Sequence, residues 1–157
     1  MSVPSPEGIA PSALAGKIAR LRPRDVVTVA RALWWSTFAR ATLSLSGWAR
    51  AQRMFGFVKV ESVERELGAL PALDPSTMRA LRVVQRTLDL KFLHVLCLPR
   101  SIAIERTLAS RGVPAELVIG VLLQQGFKAH AWIEIEGFPV AEAGRNQWAA
   151  LARFRRA

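Results

Sequence analysis

The chain has 157 residues, 51% of them hydrophobic, enough for one domain with its own core and too many for a disordered chain. Its net charge is +10, but 18 of the 22 basic residues are Arg spread along the sequence, no block of five or six like charges occurs, and aromatics do not interleave with a basic run, so nucleic-acid binding is set aside. One cysteine excludes an internal disulfide and a Cys-based zinc site, and with two histidines and few clustered carboxylates neither a metal nor any other cofactor is expected.

Residues 1–11, rich in Pro and Gly, read as a flexible arm without the basic and apolar regions of a secretory signal. A free thiol without such a signal suits the cytoplasm. Residues 12–20 form a short helical run with Ser12 as N-cap. Residues 23–45 read as the first long helix. Pro23 suits its first turn and Asp25 its positive end, with Val27, Ala30, Trp34, Thr37, Phe38, Ala41 and Leu45 on one core-facing stripe. It lacks the uncharged run of roughly 20 residues a membrane span needs, so any membrane contact is peripheral.

Residues 46–73 are less regular, interrupted by Gly47 and Gly56, with one short helix over 61–67. Asp74 and Pro75 are N-cap and first helical residue of a helix running to about residue 94, with Met78, Leu81, Val84, Leu88 and Phe92 on one face. A further helix over 99–110 packs through Ile102, Ala103, Leu108 and Ala109 and stops at Gly112. Residues 116–123 and 129–135 are β-branched, apolar strands joined by a turn at 124–126. Glu136-Gly137 turns the chain into a third strand, 138–142, and residues 144–157 read as a short helix with Trp148, Leu151 and Phe154 on one side.

Cys97 stands at the start of a helix, where free N–H groups and the dipole favour a thiolate and can hold a developing oxyanion. Arg100, one turn on, adds positive charge. His130 lies on a strand between Ala129 and Ala131, which leave room around its ring, and is the candidate general base. His94, three residues before Cys97, is the competitor, set aside because thiol enzymes draw the base from a distant strand. For the group that orients the imidazole, Glu134 shares the His130 face but is about 13 Å along the strand, too far. Glu136 lies in the turn. Glu142 faces His130's side if the hairpin loop holds an odd number of residues; if it holds two, the faces are opposite and Glu142 is disqualified. Cysteine on a helix start, histidine on a strand and a carboxylate on the next strand make the layout of a papain-like or transglutaminase-like thiol site.

The segments CLPRSIAIERTLASRGVPAELVIGV and FKAHAWIEIEG resemble the transglutaminase-like domain of lasso-peptide maturation proteases, the leader peptidases that process microcin-type precursors. The resemblance covers roughly residues 75–145 and rests on Cys-Leu-x-Arg-Ser, Arg-Gly-Val-Pro, Val-Ile-Gly-Val and Ala-His-Ala-Trp in order. It implies Cys97 as nucleophile, His130 as base and Glu142 near the family's third residue, which is usually Asp. It also implies a precursor peptide as substrate, a separate leader-recognition protein and a separate ATP-using lasso cyclase.

The expected fold is therefore α+β. A catalytic helix packs on a small antiparallel sheet over residues 75–157, preceded by a helical N-terminal region (12–74) and the arm (1–11), in one domain overall. The expected function is leader removal by a cytoplasmic cysteine protease of lasso-peptide (RiPP) biosynthesis. The alternative is a non-catalytic scaffold that assembles precursor, leader-binding protein and cyclase, in peripheral contact with a membrane through the Trp34-Trp35 helix and the basic tail.

Overall fold

Asp25 sets the start of the first helix, α1 (Pro23–Met54), in the computed structural model, which describes residues 22–61, 72–90, 93–122, 128–140 and 148–157. Its carboxylate accepts the Arg22 backbone N–H at 3.0 Å, and Pro23 fills the first turn, where a missing N–H is harmless. The same carboxylate takes a two-pronged bond from Arg79 of α2 (Pro75–Leu88), at 3.0 and 2.5 Å, tying the two helices. That Arg79 bond holds Asp25 below its ordinary carboxylate range against the opposing effect of burial.

α1 does not pack on the expected stripe. Val27, Trp34 and Leu45 are 58, 64 and 85% exposed, and of the seven stripe residues only Phe38 is half-buried. The buried face is Ala32, Ser36 and Ala39, with Thr42 and Ala51. The physical reason is proximity: α1 lies against both α3 (Cys97–Ala109) and α2, and close helix approach admits only short side chains at the contact. The helix also runs past the expected end. At Gly47 the backbone turns to φ 69°, a left-handed value glycine adopts without strain, and the helix kinks and continues to Met54. It then leads into an unanticipated strand, β1 (Phe57–Val60). The expected short helix over 61–67 falls almost entirely on residues outside those described, as do the 12–20 helix, Phe92 and the 124–126 turn.

α2 begins as its sequence requires. Asp74 accepts the Ser76 hydroxyl at 2.6 Å and the backbone N–H groups of Ser76 and Thr77 at 2.9 and 3.1 Å, and hydrogen bonding from Ser76 and Thr77, the Ser76 hydroxyl foremost, pulls its pKa well below the carboxylate range. Leu81, Val84 and Leu88 are buried as expected, whereas Met78 is exposed. The helix ends at Leu88 rather than near residue 94, and His94 takes a left-handed φ of 43° before α3. In α3, Ile102, Ala103 and Leu108 are fully buried, and the chain leaves through Gly112 at φ 71°.

The remaining strands are β2 (Glu116–Leu122), β3 (Lys128–Ile135), β4 (Phe138–Val140) and β5 (Ala149–Arg156). They form one antiparallel sheet in the order β1-β5-β2-β3-β4. β5 corrects the expected terminal helix: it lies between β1 and β2, and its hydrogen-bonding groups are used on both sides. β3 and β4 meet at Glu136-Gly137, both at positive φ (51° and 82°), a two-residue hairpin turn that sets Ile135 opposite Phe138 and Ile133 opposite Val140.

Alternation gives the sheet two faces. Leu117, Ala131, Ile133 and Phe154 join the helices in the core. The other face carries Val118, Trp132 and a buried ion network: Glu134, fully buried, accepts bonds from Trp132 Nε1 (2.9 Å) and Arg153 Nη1 (2.5 Å), and Arg153 and Arg155 both meet Glu116. The molecule is α+β, helices on one side of an antiparallel sheet. No described helix is long and apolar enough to cross a membrane.

Candidate active site

Cys97 is the first residue of α3 and is partly buried, its side chain packed against the apolar core. Leu96 caps the helix without a side-chain bond, in extended conformation, and its carbonyl accepts Arg100 N–H at 3.0 Å. The free N–H groups of the helix start thus lie in the turn that begins at Cys97. Arg100 does not point an unopposed charge at it. Its guanidinium is bonded to Asp89, in the connection between α2 and α3, so part of the expected positive field is neutralised.

His130 is the third residue of β3 and is half-buried. The imidazole stands 4.9 Å, ring centre to ring centre, from Trp148 and 6.1 Å from Trp132, the latter nearly parallel. These aromatic neighbours follow from register. His130 pairs with Gly120, and Gly120 in turn with Ala150, two residues after Trp148. Gly120 is required here: a Cβ on it would lie 2.6 Å from the Trp132 ring and 2.6 Å from the Ala149 carbonyl. The missing side chain lets Trp132 lie across β2 beside His130, where the β2–β5 register also shifts between Ile119 and Gly120.

One hydrogen bond fixes the helix against the strand. Ser101 Oγ donates to the Ala131 carbonyl at 3.0 Å, both residues buried. Ser101 is one turn after Cys97, about 6 Å along the axis, and Ala131 directly follows His130. α3 leads through residues 110–115 into Glu116, which pairs with Glu134, so its C-terminal end lies toward that end of the sheet and Cys97 toward the start of β3. Cys97 and His130 therefore come to the same end of the sheet. Their side chains start from different sides: Cys97 from the helix-covered face, His130 from the face it shares with Trp132 and Glu134.

The other carboxylates separate clearly. Glu134 is committed to Trp132 and Arg153, and Glu136 is exposed in the turn. Glu142 lies outside the described residues. The hairpin loop holds two residues, the length that disqualifies Glu142 if the pairing continues to it; the β3–β4 pairs end at Val140, so the register assigns no face to a residue beyond it. His94 is exposed in the loop before Cys97. Ser101, Gly120, Trp132 and Trp148 were given no role at the site from sequence. The available signals were the four-residue spacing of Ser101 from Cys97, the two-residue spacing of Trp132 from His130, and a glycine within a β-branched run.

A family model described as the transglutaminase-like superfamily matches residues 26–156, most of the chain, from early in α1 to the end of β5. No curated protein and no solved structure matches it.

Proposed function

The chain belongs to the transglutaminase-like superfamily, and from that premise we propose that it is a cysteine peptidase that removes the leader from a lasso-peptide precursor. The observation that carries the reading is the Ser101–Ala131 hydrogen bond, which ties the turn after Cys97 to the strand beside His130. The narrower subfamily reading is supported by the resemblance of the ordered motifs from Cys97 to Trp132.

In this mechanism His130 takes the Cys97 thiol proton, and the thiolate so formed attacks the carbonyl carbon at the leader–core junction. Helix-start N–H groups hold the oxyanion. The C–N bond breaks as His130 returns the proton to the leaving core amine, and the leader carbonyl remains on sulfur as a thioester. Water, deprotonated by His130, then hydrolyses the thioester and restores the thiol. Glu142 is the proposed orienting group for the imidazole, a role that requires the chain to leave the β4 register after Val140. A separate protein delivers the leader, and a separate ATP-using cyclase closes the ring on the freed amine, all in the cytoplasm. A transferase of the same superfamily would differ only in the last step, with an amine in place of water. The test is leader release followed by mass spectrometry, with precursor, leader-binding protein and either parent or Cys97→Ala chain. Release is expected from the parent alone, and undiminished release by the variant ends the proposal.

A second reading is favoured by one observation, the approach of Cys97 and His130 from different faces of β3. It makes the chain a non-catalytic scaffold for precursor, leader-binding protein and cyclase. Iodoacetamide separates the two: preferential alkylation of Cys97 near neutral pH supports the peptidase, and an inert thiol supports the scaffold.

A further inference from the structure

A groove of about 260 Å³ lies between the first turns of α1 and the C-terminal half of α3, far from the Cys97 end of that helix. Arg24, Arg31, Arg106 and Arg111 line it together with Val27 and Trp35, and no carboxylate does. Arg106 is held there by the fold: its Nη2 donates to the Phe55 carbonyl at 2.7 Å, and its guanidinium covers the Trp35 ring at 4.7 Å. Its Nε is buried without a hydrogen-bond partner, with only Glu105 nearby at 3.7 Å. Burial holds Arg106 below the ordinary arginine range, offset in part by Glu105. Arg24, Arg31 and Arg111 have no ion-pair partner among the described residues. Arg106 is built into the fold and partly balanced by Glu105, but Arg24, Arg31 and Arg111 bring three further like charges to the same concavity, where they repel one another, a charge arrangement suited to an anionic partner.

We propose that this groove binds an acidic segment of a polypeptide, two or more carboxylates flanking an apolar side chain. The guanidinium forks match carboxylates, and Val27, 58% exposed, offers the apolar contact. A nucleic acid fits poorly: Arg106 occupies the Trp35 face on which a base would stack, and the charges converge in one hollow instead of tracking a backbone. From Arg106 back to Cys97 is nine residues of α3, about 14 Å, so a chain bound at both needs at least about four residues between acidic segment and reacting bond. Only that spacing rests on the peptidase reading.

The experiment uses the Cys97→Ala chain and fluorescence anisotropy of a fluorescein-labelled Glu-Glu-Leu-Glu-Glu peptide, so that binding is read without cleavage. Saturable binding that weakens with salt is expected. The R31E/R111E pair should lose at least about tenfold in affinity and R31Q/R111Q a smaller part of it, while R40E/R50E, the same charge change elsewhere on α1, should lose little. Equal losses in the groove and control variants would overturn the proposal in favour of bulk charge. So would no binding by a parent chain whose fold is verified by circular dichroism. Stronger displacement of the peptide by a thymidine pentanucleotide than by unlabelled peptide would overturn it in favour of nucleic acid. Loss of binding in this assay leaves leader cleavage by the unmodified chain untouched, so the two readings fail separately.

Discussion

Ser101 Oγ donates a 3.0 Å hydrogen bond to the carbonyl of Ala131, and so joins the turn after Cys97 to the residue after His130. Both partners are buried, so Ser101→Ala leaves a carbonyl without its donor, a loss of about 1–3 kcal/mol. If the bond positions the thiol against the imidazole, turnover should fall about tenfold or more while KM changes little. Ser101→Thr, which keeps the hydroxyl, should recover part of the turnover. A drop in stability with unchanged kcat would make the bond purely structural.

Glu142→Gln should lower kcat with little effect on KM if its carboxylate stabilises the imidazolium form of His130, and Glu142→Asp should stay close to the parent. Equal rates for parent and Gln variant would remove Glu142 from the mechanism.

Gly120→Ala should destabilise the chain by about 1–3 kcal/mol, because the new methyl meets the Trp132 ring and the Ala149 carbonyl and the backbone cannot yield freely. Urea unfolding measures this. Because Trp132 adjoins His130, activity should fall further than the folded fraction does. A double Gly120→Ala/Trp132→Leu chain should regain stability relative to Gly120→Ala alone.

The α1 contact makes an opposite pair of expectations. Ala39→Leu inserts volume into a fully buried position and should cost about 1–3 kcal/mol, whereas Leu45→Ser, at an 85% exposed position, should change stability by less than about 0.5 kcal/mol. A chain that tolerates Ala39→Leu and fails with Leu45→Ser would refute the packing.

Acid should loosen the helix starts. Asp25, through Arg79, and Asp74, through the Ser76 and Thr77 bonds, are both held below their ordinary value of 3.8. A depressed folded-state pKa means the stabilisation is fully present above that value and is lost as pH falls through the lower one. The urea midpoint should therefore fall as pH drops below about 4, and Asp25→Asn should make that fall shallower. An Asp25→Asn chain with the parent's acid profile would show that this ion pair carries no pH-dependent stability.

Local chemistry was readable from the sequence, and long-range apposition was not. Asp74-Pro75 announces a helix start, Glu136-Gly137 a tight hairpin, and Cys97 opens a helix as its neighbours suggest, because each is decided within four or five residues. β5 was misread: Trp148, Leu151 and Phe154 recur every three residues, a helical spacing, yet pairing with β1 and β2 decides the strand. The buried face of α1 was misread for a related reason. Large apolar residues mark a core stripe only when the neighbouring helix leaves room for them, and here it admits alanine and serine. At the site, residue types placed Cys97 on a helix and His130 on a strand. The spacing put Ser101 one turn after Cys97, but which strand it meets, like the Trp148 contact, depends on which elements come together.

The strand order also bears on when the sheet can close during synthesis. β5 sits between β1 and β2, yet it is the last of the described strands to leave the ribosome. A nascent chain reaching only Val140 carries both the thiol and the imidazole, but β1 and β2 have no neighbour on that side. The sheet between β1 and β2 can therefore close only once residues 149–156 emerge, so its assembly waits on the end of the described chain.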